Sequence, residues 1–233
     1  MDQSCNLRNQ TLTVPPRMVI AGVGQNGEGQ LVFNGLASNQ AAIAVTPGRN
    51  TAGVTIRDLR IVGDNPLKGR GIELDNAHQV NLERLRISGF GNGIYGRQSF
   101  STVIDKVSMH DNNINIFQGF TANTWRVTNS VLNQAKRWGI YQSVPDQNSS
   151  VYSGNRFESN GLGGIHVAGL GTVIQNNEFE GNGGVANVAI RVHGAAVDTR
   201  ILSNLYSGDC PINAGIGTQT AFDIFSFVAC PAI

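Results

Sequence analysis

Hydrophobic residues recur along this chain in step with one another. Six short stretches put an isoleucine in the same setting: Gly71-Ile72-Glu73-Leu74-Asp75, Gly93-Ile94-Tyr95-Gly96-Arg97, Asn115-Ile116-Phe117-Gln118-Gly119, Gly139-Ile140-Tyr141-Gln142-Ser143, Gly164-Ile165-His166-Val167-Ala168 and Ala189-Ile190-Arg191-Val192-His193. The isoleucines are 22, 22, 24, 25 and 25 residues apart, a recurrence that marks a repeat architecture. The residue two after each isoleucine tends to be small or apolar, and those between are polar or aromatic. That alternation belongs to a strand with one buried face. A second apolar column keeps the same step: Ile61, Ile87, Met109, Val131, Phe157, Phe179 and Tyr206. Two residues ahead of its later members stand Asn129, Asn155, Asn177 and Asn204, a place held earlier by Leu59, Leu85 and Val107. Three residues after the column come Asn112, Asn160 and Asn182, with Asp64 in the same place earlier.

Two or three short strands per period, with no helical stretch between them, predict an all-β chain wound as a parallel β-solenoid. Each coil stacks on the next at about 4.8 Å, so seven to eight coils give a rod of roughly 35–40 Å. No coil could bury its apolar residues alone; stacking turns the columns into ladders inside a narrow core. An Asn at a bend suits this arrangement, because its amide can bond the coils above and below.

The repeated Gly-Ile strands, with Asn155-Arg156-Phe157 and Asn177-Glu178-Phe179, resemble the right-handed parallel β-helix superfamily, the pectate-lyase-like fold. The segment from Leu12-Thr13-Val14-Pro15-Pro16 to Ile20-Ala21-Gly22-Val23-Gly24 looks like that family's opening coil, and the resemblance covers roughly residues 11–208. It implies a single right-handed parallel β-helix. It does not name a reaction, because the superfamily holds lyases, hydrolases, epimerases, phage tailspikes, surface proteins and members with no known activity. One domain is expected: residues 1–39 as cap and first coil, 40–208 as the β-helix, and 209–233 as a C-terminal capping segment. In that last segment Ala221–Val228 alternates like an edge strand covering the open end.

Charge and composition narrow the partners. A net charge of +1 makes no electrostatic case for nucleic acid or an acidic membrane. No apolar run reaches the length of a membrane span. The polar start Met1-Asp2-Gln3-Ser4-Cys5 carries no signal peptide. Members of the resembling family usually act outside the cytoplasm, so an extracellular or cell-surface location is expected, with the chain starting after a removed signal or an upstream domain. Cys210 and Cys230 could close a loop and leave Cys5 over; three reduced thiols are the alternative.

The outward face of the isoleucine strands is the most informative pattern for function. Strand side chains alternate, so the residues one and three after each isoleucine point outward. The first outward column is Glu73, Tyr95, Phe117, Tyr141, His166, Arg191; the second is Asp75, Arg97, Gly119, Ser143, Ala168, His193. In the enzymes it resembles, this face lines a sugar-binding groove. Aromatic rings in a row suit a polysaccharide whose apolar faces pack on them; the alternative is a ladder that stabilises the rod. Trp125 is assigned to turns or other faces, and Trp138 to the groove rim or to packing. Glu73, Asp75, Tyr95, Arg97, Phe117 and His193 are the candidate substrate contacts.

Tyr141, His166 and Arg191 form the candidate catalytic trio. A uronate lyase removes the proton α to a carboxylate, protonates the leaving oxygen and neutralises the developing charge. A His or Tyr can serve as base or acid, and a fixed Arg can hold the carboxylate. The alternative is that His166 and Arg191 are solvated rungs. Glu73 and Asp75, roughly 7 Å apart and with Asp111 near, are a second candidate as an inverting glycosidase pair; a surface ion-pair cluster with Arg97 is the competing reading. His166 and His193, about 7–8 Å apart, are too far for shared metal ligation. Calcium is the cofactor that the pectate-lyase resemblance brings, and the sequence offers no convincing acidic ligand cluster for it, so none is expected. The expected partner is an acidic polysaccharide, bound by a monomer or a trimer. A non-catalytic solenoid, tailspike-like or surface-binding, is the alternative to an enzyme.

Overall fold

The structure, a computed structural model, describes residues 4–22, 29–45, 53–184, 187–212, 219–221 and 224–226. It is an all-β right-handed parallel solenoid of about 8 turns. Two sheets run along it. The nine-stranded sheet collects the isoleucine strands, from Leu12–Val14 through Gly163–Val167 and Val188–Val192 to Cys210–Ile212. The seventeen-stranded sheet supplies the other two sides of each coil. Ile43, Ile72, Ile94, Ile116, Ile140, Ile165 and Ile190 stack in direct register, each fully buried.

The glycine that precedes four of these isoleucines, at 71, 93, 139 and 164, has a packing reason. A Cβ on Gly139 would come within 2.7 Å of the Phe157 ring, and one on Gly164 equally close to Phe179. Those rings belong to the second apolar column. Phe157, Phe179 and Tyr206 stack face to face inside the rod at centroid distances of 4.9 and 5.3 Å.

That column differs from expectation at one rung. Leu132, fully buried, stands in register with Met109 and Phe157, while Val131 is exposed. The asparagine column shifts with it: Ser130, not Asn129, precedes the strand as Asn155 and Asn177 do. Asn129 instead takes the left-handed position one residue earlier, at φ 51°, as do Gly154, Asn176 and Ser203. A left-handed residue followed by an inward-facing one makes this corner in each coil from Asp58-Leu59 to Ser203-Asn204. From coil to coil between Val103 and Ser207 the corner is two residues long between paired three-residue strands, at 106–107, 129–130, 154–155, 176–177 and 203–204. The turns on either side of the isoleucine strands vary instead, from 168–172 to 143–150 on one side and from 208–209 to 181–187 on the other.

Two amide ladders line the corners. Asn177 Oδ1 accepts the N–H of Asn155 at 2.9 Å, while its Nδ2 donates to the Tyr152 carbonyl at 3.0 Å and to Asn204 Oδ1 at 3.0 Å. In the second ladder Asn160 bonds Asn182, and Asn182 bonds the Asp209 carboxylate through its N–H and its side chain. Burial raises the Asp209 pKa above its ordinary 3.8, against the hydrogen bonds from Asn182. A raised carboxyl pKa means the folded state favours the neutral form, so stability is greatest below the unfolded pKa and falls as pH rises through the folded one. Asp209→Asn keeps the ladder oxygen and removes the charge. It is expected to flatten this fall, as read from denaturant midpoints across pH 3 to 8 (roughly the range of carboxyl titration).

Within 209–233, the strands Cys210–Ile212, Gln219–Ala221 and Ile224–Ser226 continue both sheets in parallel register. Residues 213–218, 222–223 and 227–233, Cys230 among them, lie outside the described residues, as does the turn at 47–50. Cys5 is a free, exposed thiol and Cys210 is disulfide-bonded. Among the described residues no helix is long and apolar enough to cross a membrane.

Candidate functional site

The first outward column stands as the register predicts. Glu73 pairs Tyr95, Tyr95 pairs Phe117, Phe117 pairs Tyr141, Tyr141 pairs His166, and His166 pairs Arg191. Tyr141, His166 and Arg191 therefore lie on three successive coils of one face. A further row, of which the sequence reading placed only Trp138, shares that face. Ile114, Trp138 and Val188, each two residues before its isoleucine, form an apolar cluster outside the main core, with Phe117 and Tyr141 packed against it.

The rings do not face the solvent. Tyr95 stacks on Phe117 at 5.2 Å with 17° between planes, Phe117 lies 5.6 Å from Tyr141, and Tyr141 stacks on His166 at 4.6 Å. The Arg70 guanidinium covers the other side of Tyr95 at 3.8 Å. Side chains stacked at coil spacing present edges to the groove and faces to each other. The expectation that the column offers ring faces to a pyranose is therefore corrected. What it presents is the polar rim of Tyr95, Tyr141 and His166.

His166 is the most constrained member. It is only 9% exposed, with the Trp138 ring edge-on at 5.4 Å and Tyr141 stacked over it. Its Nδ1 lies 2.9 Å from the Gln142 carbonyl. A carbonyl can only accept, so Nδ1 carries the proton and Nε2 keeps a lone pair. Burial pushes the His166 pKa below its usual 6.5; the Gln142 bond opposes this, and His193 and Arg191 add to it. The ring is thus neutral near pH 7. Arg191 is exposed, 5.7 Å from the Trp138 ring, and His193 is exposed beside it. The His166 and His193 rings are 6.0 Å apart, closer than the sequence spacing implied. Among the described residues no three His, Cys, Asp or Glu side chains converge to hold a metal.

Trp138 reaches the His166 coil because Gly163 leaves room. A Cβ on Gly163 would come within 2.2 Å of the Trp138 ring. Gly163→Ala is expected to destabilise the protein by about 1–3 kcal/mol through overpacking and to red-shift tryptophan emission. Unchanged emission and an unchanged denaturation midpoint would show that the ring is not seated there.

The acidic end of the face is committed to ion pairs. Glu73 bonds Arg70, and Asp75 makes a two-pronged contact with Arg97 at 2.8 and 2.7 Å. Both carboxylates are engaged by guanidinium groups, the ion-pair cluster that competes with the glycosidase reading. Asp111 bonds His110 at an exposed corner. Only Asp75 and Arg97 of the second column lie within strands; Gly119, Ser143, Ala168 and His193 stand just beyond the strand ends. Trp125 is fully buried in the main core, its indole N–H donating to the Ser99 carbonyl.

The sequence reading also passed over Gln118 and Gln142. Both occupy inward positions that elsewhere hold Leu74, Val167 and Val192, and both are fully buried. Two glutamines where the repeat calls for apolar residues were the available signal.

The family model described as right handed beta helix region matches residues 41–205. No curated protein matches the chain by sequence. Among solved structures, an alginate lyase from Paenibacillus sp. str. FPU-7 superposes with a TM-score of 0.63 at 18% identity, covering 85% of this chain and 76% of that one. The Dettilon tailspike protein gives 0.63 at 15% identity; the match spans 87% of this chain and 43% of the tailspike. PfbA, a surface adhesin of Streptococcus pneumoniae, gives 0.52 at 10% identity, over 87% and 70%. At these identities the likeness is one of fold.

Proposed function

This chain belongs to the right-handed beta-helix family, and we propose that within it the protein is a carbohydrate-active enzyme, a lyase acting on an acidic polysaccharide along the isoleucine-strand face. The observation that carries this reading is a buried, neutral imidazole with its Nδ1 proton held and its Nε2 lone pair free, between a tyrosine on one neighbouring coil and an arginine on the other.

The roles follow from that geometry. Arg191 neutralises the uronate carboxylate, which acidifies the α carbon. His166 Nε2 takes the C5 proton, the C4–O4 bond breaks with its electron pair leaving on oxygen, and a C4–C5 double bond forms. The Tyr141 hydroxyl protonates the departing oxygen and regains its proton from solvent. His193 adds positive charge at the carboxylate end. Tyr95, Phe117 and the paired Glu73, Asp75 and Arg97 contact further sugars along the groove. An alginate lyase of like fold makes a uronate polymer the first substrate to try, and the tailspike and adhesin accord with an extracellular or surface setting.

The face-to-face stacking of Tyr95 and Phe117 favours a second reading, a solenoid whose face is structural and whose role is non-catalytic binding. Incubation with alginate, pectate and glycosaminoglycans, followed by ultraviolet absorbance of the unsaturated uronate, separates the two. A rise with one polymer supports the lyase. A flat trace with all of them sinks it and leaves binding, measured by calorimetry, as the surviving reading.

A further inference from the structure

We infer that Gln142 is a positioning residue that sets the tautomer of His166, by exchanging the roles of its main-chain and side-chain carbonyls. The neighbouring coils show the ordinary arrangement. Where the strand ends, the N–H of the first turn residue bonds the carbonyl one coil below: Gly119 to Gly96 at 2.7 Å, Ser143 to Gln118 at 3.1 Å, His193 to Val167 at 2.7 Å. The matching bond in the His166 coil would run from Ala168 N–H to the Gln142 carbonyl. It does not form. Ala168 N–H donates instead to Gln142 Oε1 at 3.1 Å, and Gly169 N–H donates to the same oxygen at 3.0 Å.

The side chain has thus taken over the ladder bond, and the main-chain carbonyl is released to the imidazole at 2.9 Å. The substitution is anchored from behind. Gln142 Nε2 donates to the Tyr152 hydroxyl at 2.8 Å and to Thr172 Oγ1 at 3.3 Å, and the Tyr152 hydroxyl donates to Gln118 Oε1 at 2.5 Å. Every member of this network is buried, where a polar group left without a partner is costly. Gly169 completes it: a Cβ there would come within 1.8 Å of the Gln147 carbonyl, so only glycine lets the turn close onto the glutamine. A leucine or valine in place of Gln142 would return Ala168 N–H to the ladder, where it would compete with His166 Nδ1–H for the same main-chain carbonyl.

That the tautomer matters for turnover rests on the lyase reading; that Gln142 sets it does not. The test is therefore spectroscopic, on the full chain with 15N-labelled histidine, using long-range nitrogen–proton correlations that distinguish Nδ1–H from Nε2–H. In the wild type His166 is expected as Nδ1–H. In Gln142→Asn, one methylene too short to reach both amides, the Nε2–H form should come to dominate, with His78, His110 and His193 unchanged. Gln142→Glu keeps the accepting oxygen and should retain Nδ1–H. A wild-type His166 found as Nε2–H overturns the inference, whatever the variants do. So does a folded Gln142→Asn with its tautomer unmoved. Should Gln142→Asn fail to fold, retention of Nδ1–H in Gln142→Glu supports the assignment and its loss overturns it. If no polymer is cleaved, the tautomer shift still stands or falls by itself. Where one is cleaved, Gln142→Asn should lower kcat about 10-fold or more with KM little changed.

Discussion

Replacement of His166 by alanine is expected to lower turnover of an acidic polysaccharide by at least ~100-fold, the usual contribution of a positioned general base. The argument rests on what the ring is given. It has a fixed tautomer, a depressed pKa and a lone pair on Nε2. Because burial holds the pKa down, activity should be lost only when the pH falls below the usual histidine range, with the rate rising toward neutral pH as the imidazole loses its proton. Arg191→Ala should cost a similar factor of about 10²–10³, since it removes the charge that stabilises the developing carbanion. Single-turnover rates and circular dichroism on both variants provide the check. A folded His166→Ala that cleaves at the wild-type rate would place the reaction elsewhere on the rod. Glu73→Gln and Asp75→Asn serve as contrast: under the lyase reading they change KM far more than kcat.

The largest effect on stability is expected from Asn177→Ala. Its side chain satisfies the N–H of Asn155, the carbonyl of Tyr152 and the oxygen of Asn204 at once, all buried. Alanine takes the acceptor from the Asn155 N–H and the donor from the Tyr152 carbonyl, at about 1–3 kcal/mol each. A loss of roughly 3 kcal/mol or more follows, a large fraction of the stability of an ordinary domain. Asn177→Asp at neutral pH should be at least as damaging, because a charged oxygen in place of Nδ2 would face the Tyr152 carbonyl and Asn204 Oδ1, acceptor against acceptor. Chemical denaturation measures both. A midpoint shift within the error of a surface substitution would mean that water replaces the amide and that the ladder does not hold the corner together.

The winding of this chain was legible because a solenoid writes its period directly into the sequence. Ile72 through Ile190 needed only to be counted, and the outward column from Glu73 to Arg191 followed from strand alternation. One rung slipped. Val131 and Leu132 are both apolar, and only the invariant two-residue corner decides which of them faces inward. Trp138 was harder to place, since Gly163 one coil later is what lets the indole cross. Ring orientation was not legible at all. Alternation tells which side a side chain leaves the sheet on, but whether Tyr95 and Phe117 turn faces outward or toward each other is settled by the coil spacing and by Arg70. The exchange at Gln142 leaves no trace in periodicity beyond a polar residue in an apolar column.

The unequal lengths of the corners carry a consequence for how such a protein can change over generations. The corner held by Asn155, Asn177 and Asn204 admits no insertion, because every rung bonds the next. The turns beside the isoleucine strands already differ by several residues from coil to coil without disturbing the isoleucine register. Insertions and deletions are thus channelled to the two borders of the groove, the places where a wall can be raised or a neighbouring sugar excluded. A lineage built on this scaffold can explore new polymers by lengthening its borders while its interior is inherited unaltered.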